Sequence, residues 1–179
     1  MKFKEKLYDE FVHEFANILS GTIKEKEPSD LIFLCVGTDR VIGDSFGPLV
    51  GYRLKELYKE ERRVHVFGDL EVPVSISNIE KIIERINQRY EKPFIIVIDS
   101  AVSTRVNIGK IVVGRKRMNL GSSLDKKVIK VGDISIKGIV SEDSGSPRQN
   151  FMLLQKAPLN LVISMAETTA KGIYDVINV

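Results

Sequence analysis

Apolar residues recur along this chain with two periods, and the switches between them mark out its elements. Phe3, Leu7, Phe11 and Phe15 return every four positions, Ile18 and Leu19 follow, and Ser20-Gly21 supplies a stop. That spacing predicts an amphipathic helix over residues 2–20. The polar stretch 22–30 connects it to Leu31–Val36, an unbroken apolar run of the kind a parallel strand shows when both faces are covered. A helix is expected from about Ser45 to Glu60, with Pro48 tolerable only in its first turn. Arg63–Phe67 alternates and is β-branched, so it reads as a strand. Ser77–Tyr90 reads as a helix, with Ile79, Ile82, Ile83 and Ile86 on one face and Ser77 as its N-cap. Phe94–Ile98 is a second buried strand. Strands alternating with helices of this length predict an α/β layer fold with a mostly parallel sheet.

The pattern loosens after Asp99. Ile108–Val113 and Val128–Val131 are strand-like runs separated by a basic loop, Gly114–Lys127. Ile134–Val140 is ambiguous. Ser141–Ser146 is a polar loop, and Pro147 opens a helix through Gln155. Leu159–Ser164 reads as a last central strand and Thr168–Ile177 as a closing helix.

At 179 residues the chain is most simply one domain, 1–179. A net charge of +3 makes no global case for nucleic acid. No run reaches the ~18 apolar residues of a membrane span, and the charged N-terminus lacks a signal-peptide core. The single cysteine, Cys35, excludes an internal disulfide and fits a reducing cytosol, so a cytoplasmic location is expected. Inside an apolar run, it reads as a buried structural thiol.

Two carboxylates carry the chemistry. In an open α/β sheet, ligands bind beyond the carboxyl ends of the strands. Asp99 directly follows the Phe94–Ile98 run; Asp44 follows Leu31–Val36 by a loop and stands at a helix start. Two acids at neighbouring strand ends can drive hydrolysis if their environments hold their pKa values apart, one acting as base and one as acid. Asp44, at a helix N-terminus, is expected to accept backbone N–H bonds and stay ionised. Asp99, leaving a buried strand, is expected to be desolvated and nearer neutral. The competing readings are structural: Asp44 as a plain helix N-cap, Asp99 as a turn-forming residue. Asp39, earlier in the same loop, would orient Arg40, bind a cation or cap a turn.

Other signals carry less. Asp143-Ser144-Gly145 matches the D-S-G of pepsin-like proteases, but those are all-β with paired loops, so turn chemistry explains it better. The loop Gly37–Gly43 is neither a Walker A nor a G-x-G-x-x-G segment, and its two acids would repel phosphate. His13 falls on a polar helix face and His65 is mid-strand, so no histidine-containing metal site is expected. The segment 110–130 carries seven cations against Asp125 but no interleaved aromatics, which argues against base stacking.

At these residues the chain resembles a family. GTDRVIGDSFGPLVG (37–51), VIDSAV (97–102), VGDISIKGIV (131–140) and LNLVISMAET (159–168) are similar to the YyaC-type spore proteases, which resemble in turn the germination protease and the hydrogenase maturation proteases. The resemblance implies a three-layer α/β/α fold. It also implies an aspartic-type pair, with Asp44 in GDSFGP and Asp99 in VIDS. The hydrogenase maturation proteases add a histidine before a later helix; the comparable SEDSGSPRQNF (141–151) has none, which favours the spore-protease side over nickel binding. SAVSTR after Asp99 also departs from the family's small-residue run.

The leading expectation is a spore-associated cytoplasmic peptidase acting on a protein or peptide substrate without cofactor or metal. Asp44 would activate water and Asp99 would protonate the leaving amine or polarise the carbonyl, with roles interchangeable because a coupled pair titrates as a unit. Main-chain N–H groups of Gly37-Thr38, or of the helix start Ser45–Gly47, would stabilise the oxyanion. Asp39 and Ser100 complete the supporting set. The alternative is a non-catalytic sporulation binding or regulatory protein on the same fold, working through the basic loop 114–127. A nucleoside- or phosphate-handling hydrolase using the 37–47 loop is a third reading.

Overall fold

The computed structural model describes residues 2–120 and 129–178. In chain order its elements are α1 (Lys2–Ile23), β1 (Asp30–Cys35), α2 (Phe46–Leu57), β2 (Val64–Phe67), α3 (Ile79–Arg89), β3 (Pro93–Ser103), β4 (Ile111–Gly114), β5 (Met118–Leu120), β6 (Ile129–Val131), β7 (Ile134–Glu142), α4 (Pro147–Gln155) and α5 (Leu159–Ile177). Strands β2, β1, β3 and β7 pair in parallel in that spatial order, and β4 closes the sheet antiparallel to β7. Strands β5 and β6 form a separate antiparallel ribbon.

Side-chain alternation along the central strands divides the core into two layers. Phe33, Cys35, Phe94, Ile96 and Ile98 turn to α1, α2 and α5, where Phe11, Phe15, Val50, Leu54, Val162 and Ile173 are buried with them. Ile32, Leu34, Ile95 and Val97 turn the other way, to Ile79 and Ile86 of α3 and to Met118 and Leu120 of the ribbon. The result is the expected α/β/α arrangement with a mostly parallel sheet. The four-residue repeat of α1 is realised as buried Leu7, Phe11, Phe15 and Leu19. Cys35 is buried, and desolvation pushes its thiol well up, so it stays a thiol. No described helix is long and apolar enough to cross a membrane.

Three expectations need correction. Leu159–Ser164 is not a strand: it is the first turns of α5, whose buried Val162, Met165, Ala166, Thr169, Ala170 and Ile173 follow helical spacing. A short apolar run cannot be told from a buried helix segment by periodicity alone. Ser77 does not cap α3. The N-cap is Asn78, whose side chain ties the preceding turn, accepting from the Ser75 amide at 2.9 Å and donating to the Pro73 carbonyl at 3.0 Å. Most consequentially, β3 does not stop at Ile98 but runs to Ser103. The ambiguous segment 134–140 is central strand β7, and the basic loop contains β5; its residues 121–127, like the side chain of Phe3, lie outside those described.

Beyond the end of β2, buried Asp69 holds the next turn. Its Oδ1 accepts the amides of Glu71 at 2.8 Å and Val72 at 2.6 Å, and Oδ2 pairs with Lys55 of α2. Burial alone would raise this acid, but Lys55 and the two amides more than reverse it and hold it below the usual carboxylate range. Asp69→Ala is expected to cost about 3 kcal/mol in urea unfolding, since it strands two amides and a cation. Because the folded pKa is depressed, Asp69's contribution is full above about pH 4 and fades as pH falls through the folded value.

Candidate active site

The site is built where β1 stops and β3 continues. Val36 donates its N–H to the Ile98 carbonyl at 2.7 Å, and the chain then leaves the sheet at Gly37, whose φ of +139° few side chains tolerate. A Cβ at Gly37 would strike the carbonyl oxygen of Asp44. The loop returns through a tight 3-10 turn, Gly43–Ser45, into α2, where Gly47 lies directly against the Val36 carbonyl. These two close approaches bring Asp44 beside β3. There the Ser100 hydroxyl donates to Asp44 Oδ1 at 3.3 Å, and the Ser100 amide donates to Asp99 Oδ1 at 2.8 Å. One residue of β3 thus holds both carboxylates. By the alternation that buries Ile98 on the α2 side and Val97 on the α3 side, Ser100 faces α2 and Asp99 faces α3. The two acids therefore flank the strand from opposite faces.

Their environments differ. Burial raises Asp44, while the Ser100 hydroxyl and the Thr38 amide pull it back. Burial raises Asp99 much further, and the charge of Asp44 adds to it; the Ser100 amide and Lys137 oppose the rise. Both acids are thus raised, Asp99 further than Asp44, and each adds to the cost of ionising the other. Asp44 does not follow its expected path. It caps no helix: α2 has Ser45 at its N-cap position without a side-chain cap, because Ser45 Oγ donates to the Ile42 carbonyl at 2.6 Å. Instead of being held ionised by helix amides, Asp44 is desolvated. Asp99 forms no turn either, sitting inside β3.

The remaining loop residues separate. Asp39 is exposed at the rim, touched by the Thr38 hydroxyl at 3.5 Å, with its bond to the pair absent among the described contacts. Three of the expected oxyanion donors are already committed: Gly37 N–H to the Val74 carbonyl, Thr38 N–H to the Asp44 carbonyl, and Ser45 N–H to the Ile42 carbonyl, at 2.8, 3.1 and 3.2 Å; the amides of Phe46 and Gly47 lie in the first turn of α2. Lys137, which the sequence reading passed over, stands opposite Asp99 in the β3–β7 register and is exposed. Only strand pairing reveals it, since nothing in the local sequence fixes the register.

A metal is part of the chemistry the resemblance brings to mind, so the donors matter. Among the described residues no three His, Cys, Asp or Glu side chains gather. His13 is exposed beside Asn17, and His65 bonds Asp30 at 2.9 Å at the opposite end of β1. Two carboxylates flanking a strand, without a histidine, do not fit a nickel donor set.

The layers and strand order define a three-layer α/β fold with a mostly parallel sheet. The structure is similar to [NiFe] hydrogenase maturation protease HycI from Thermococcus kodakarensis KOD1, with a TM-score of 0.57 and 19% identity, covering 92% of this chain and 99% of that one. At that identity the likeness is one of fold. Residues 4–172 match the family described as protein of unknown function (DUF1256), and the chain belongs to that family. The uncharacterized protein YyaC of Bacillus subtilis (strain 168) is 34% identical over 160 residues, 89% of this chain and 76% of YyaC.

Proposed function

We propose that this protein is a paired-aspartate peptidase acting on a protein substrate, and that its setting is a sporulating cell. The observation that carries the chemistry is the pair of hydrogen bonds that Ser100 donates, from its hydroxyl to Asp44 and from its amide to Asp99, two acids whose burial separates their affinities for a single proton. Asp44, ionised first, takes a proton from water as the water attacks the scissile carbonyl. Asp99, still protonated, donates to the leaving amine. Lys137 supplies positive potential on the Asp99 side. The setting rests on the residue-level resemblance to YyaC-type spore proteases.

Activity should be bell-shaped in pH. It rises as Asp44 loses its proton, above the ordinary aspartate range because burial raises it, and falls as Asp99 loses its own. A flat profile across both limbs would remove the pair from the chemistry. The direct test is mass spectrometry of a spore protein extract incubated with wild type and with Asp44→Asn. New peptide ends that appear only with wild type are the expected result.

The regulatory alternative loses part of its surface. Arg115, one of its cations, is paired with Glu25 within the molecule. Charge reversal at Lys116 and Arg117 is expected to leave cleavage unchanged, as measured by the same peptide ends.

A further inference from the structure

The end of β3 offers more than a platform for two acids. Residues 30–35 of β1 pair with 93–98 of β3, and past Ile98 the β1 side of β3 has no strand beside it among the described residues. On the other side β7 accompanies β3 to Ser103. The direction of the free main-chain groups follows from bonds at both ends of the strand. The carbonyls of Ile95 and Ser103 accept from the amides of Asp133 and Asp143 at 2.7 Å, on the β7 side, whereas the Ile98 carbonyl accepts from Val36 on the β1 side. Alternate residues share a side, and the register slip beside Ala101 is taken up by β7, which skips Val140, so β3 itself stays regular. The N–H and C=O groups of Ser100 and Val102 therefore face the open edge. The Ser100 amide is satisfied by Asp99; the Ser100 carbonyl and the Val102 amide have no main-chain partner among the described residues.

We infer that this edge is the substrate cleft, and that the occupant is an extended polypeptide segment adding to the sheet beside residues 99–103 of β3. This rests on the peptidase reading and specifies its substrate as unfolded chain rather than a folded surface. An unpaired strand edge is a template for another strand, and main-chain bonds give such complexes affinity with little dependence on side chains. The position also suits the chemistry. An added strand lies about 4.8 Å from β3, and Asp44 and Asp99 stand on the two faces of β3 beside that line. A peptide bond held opposite Ser100 is thereby bracketed by one acid from each side. The open run is short, so it selects a stretch of a few residues.

The test uses a full-length Asp44→Asn chain and a peptide selected on it from a random dodecamer display library. The selected peptide is then resynthesised with single N-methyl groups at each position. Edge pairing predicts that N-methylation at alternate positions weakens binding at least tenfold while the intervening positions tolerate it. Val102→Pro in the protein, which deletes the edge-facing amide, should weaken binding by a similar factor with the melting temperature retained. Failure to select any peptide, tolerance without alternation, or full binding by a folded Val102→Pro variant would each overturn the proposal. Incubating the same peptide with wild type separates the two ideas: alternating N-methyl sensitivity without cleavage keeps the cleft and removes the peptidase.

Discussion

Asp99→Asn is expected to lose cleavage by about 10²–10⁴-fold, the usual contribution of a general acid, and at the same time to gain stability at neutral pH. The gain follows from the site itself. Asp99 is held well above the ordinary carboxylate range by burial and by the charge of Asp44, so near neutral pH the folded state bears the cost of any ionisation that the unfolded chain makes freely. The folded acid binds protons more tightly than the unfolded one, so stability falls as pH rises from about 4, where an unperturbed aspartate titrates, through the folded value. Asparagine keeps an oxygen to accept the Ser100 amide and never ionises. The expected gain is about 1–2 kcal/mol, read as a rise in melting temperature of about 2–4 °C per kcal/mol for a chain of this size. It should shrink toward zero below about pH 4. A variant that is inactive but gains no more over wild type at pH 7 than at pH 4 would mean that Asp99 carries no strained charge, and the acid–base assignment would lose its electrostatic support.

The second large effect concerns Gly47. In an ordinary helix, glycine to alanine gains about 1 kcal/mol in helix propensity. At Gly47 the opposite is expected, a loss of about 3 kcal/mol or more in urea unfolding, because the added methyl would run into the main-chain carbonyl of Val36. Neither partner can give way easily: Val36 is held to Ile98, and both Val36 and Gly47 are buried. The displacement would also drag the 43–45 turn away from β3, so residual activity should fall further than stability alone explains. Gly145 serves as the comparison. Nothing lies near its Cβ position and its φ is +74°, so alanine there should cost only about 1–2 kcal/mol from the left-handed backbone. Equal losses at the two positions would show that close packing of α2 on the end of β1 is not what fixes the loop.

Much of this arrangement was legible in the sequence, and the reasons are local. The α1 repeat, the apolar runs of β1 and β3, and Pro147 at the first turn of α4 each report a period or a backbone constraint that survives whatever the element packs against. The two acids drew notice because each directly or closely follows an apolar run, although Asp99 proves to lie inside β3 rather than after it. What failed was whatever depends on the partner. Leu159–Ser164 has the composition of a buried strand, and only its packing among α1, α2 and the sheet makes it a helix. Asp44 looked like a helix cap because it precedes a helix; its carboxylate instead turns to Ser100, 56 residues further along the chain.

The sequence by itself determined the α/β layering and the family, and showed that Asp44 and Asp99 follow apolar runs, because these depend on periodicity and on short contiguous segments. Tertiary structure decided that β3 outruns β1, that Ser100 joins the acids from opposite faces, that Lys137 stands across from Asp99, and that the amides of Gly37, Thr38 and Ser45 are already spent. Strand length, register and the destination of each main-chain bond are set by residues far apart in sequence, and those are the quantities on which the chemistry of the site turns.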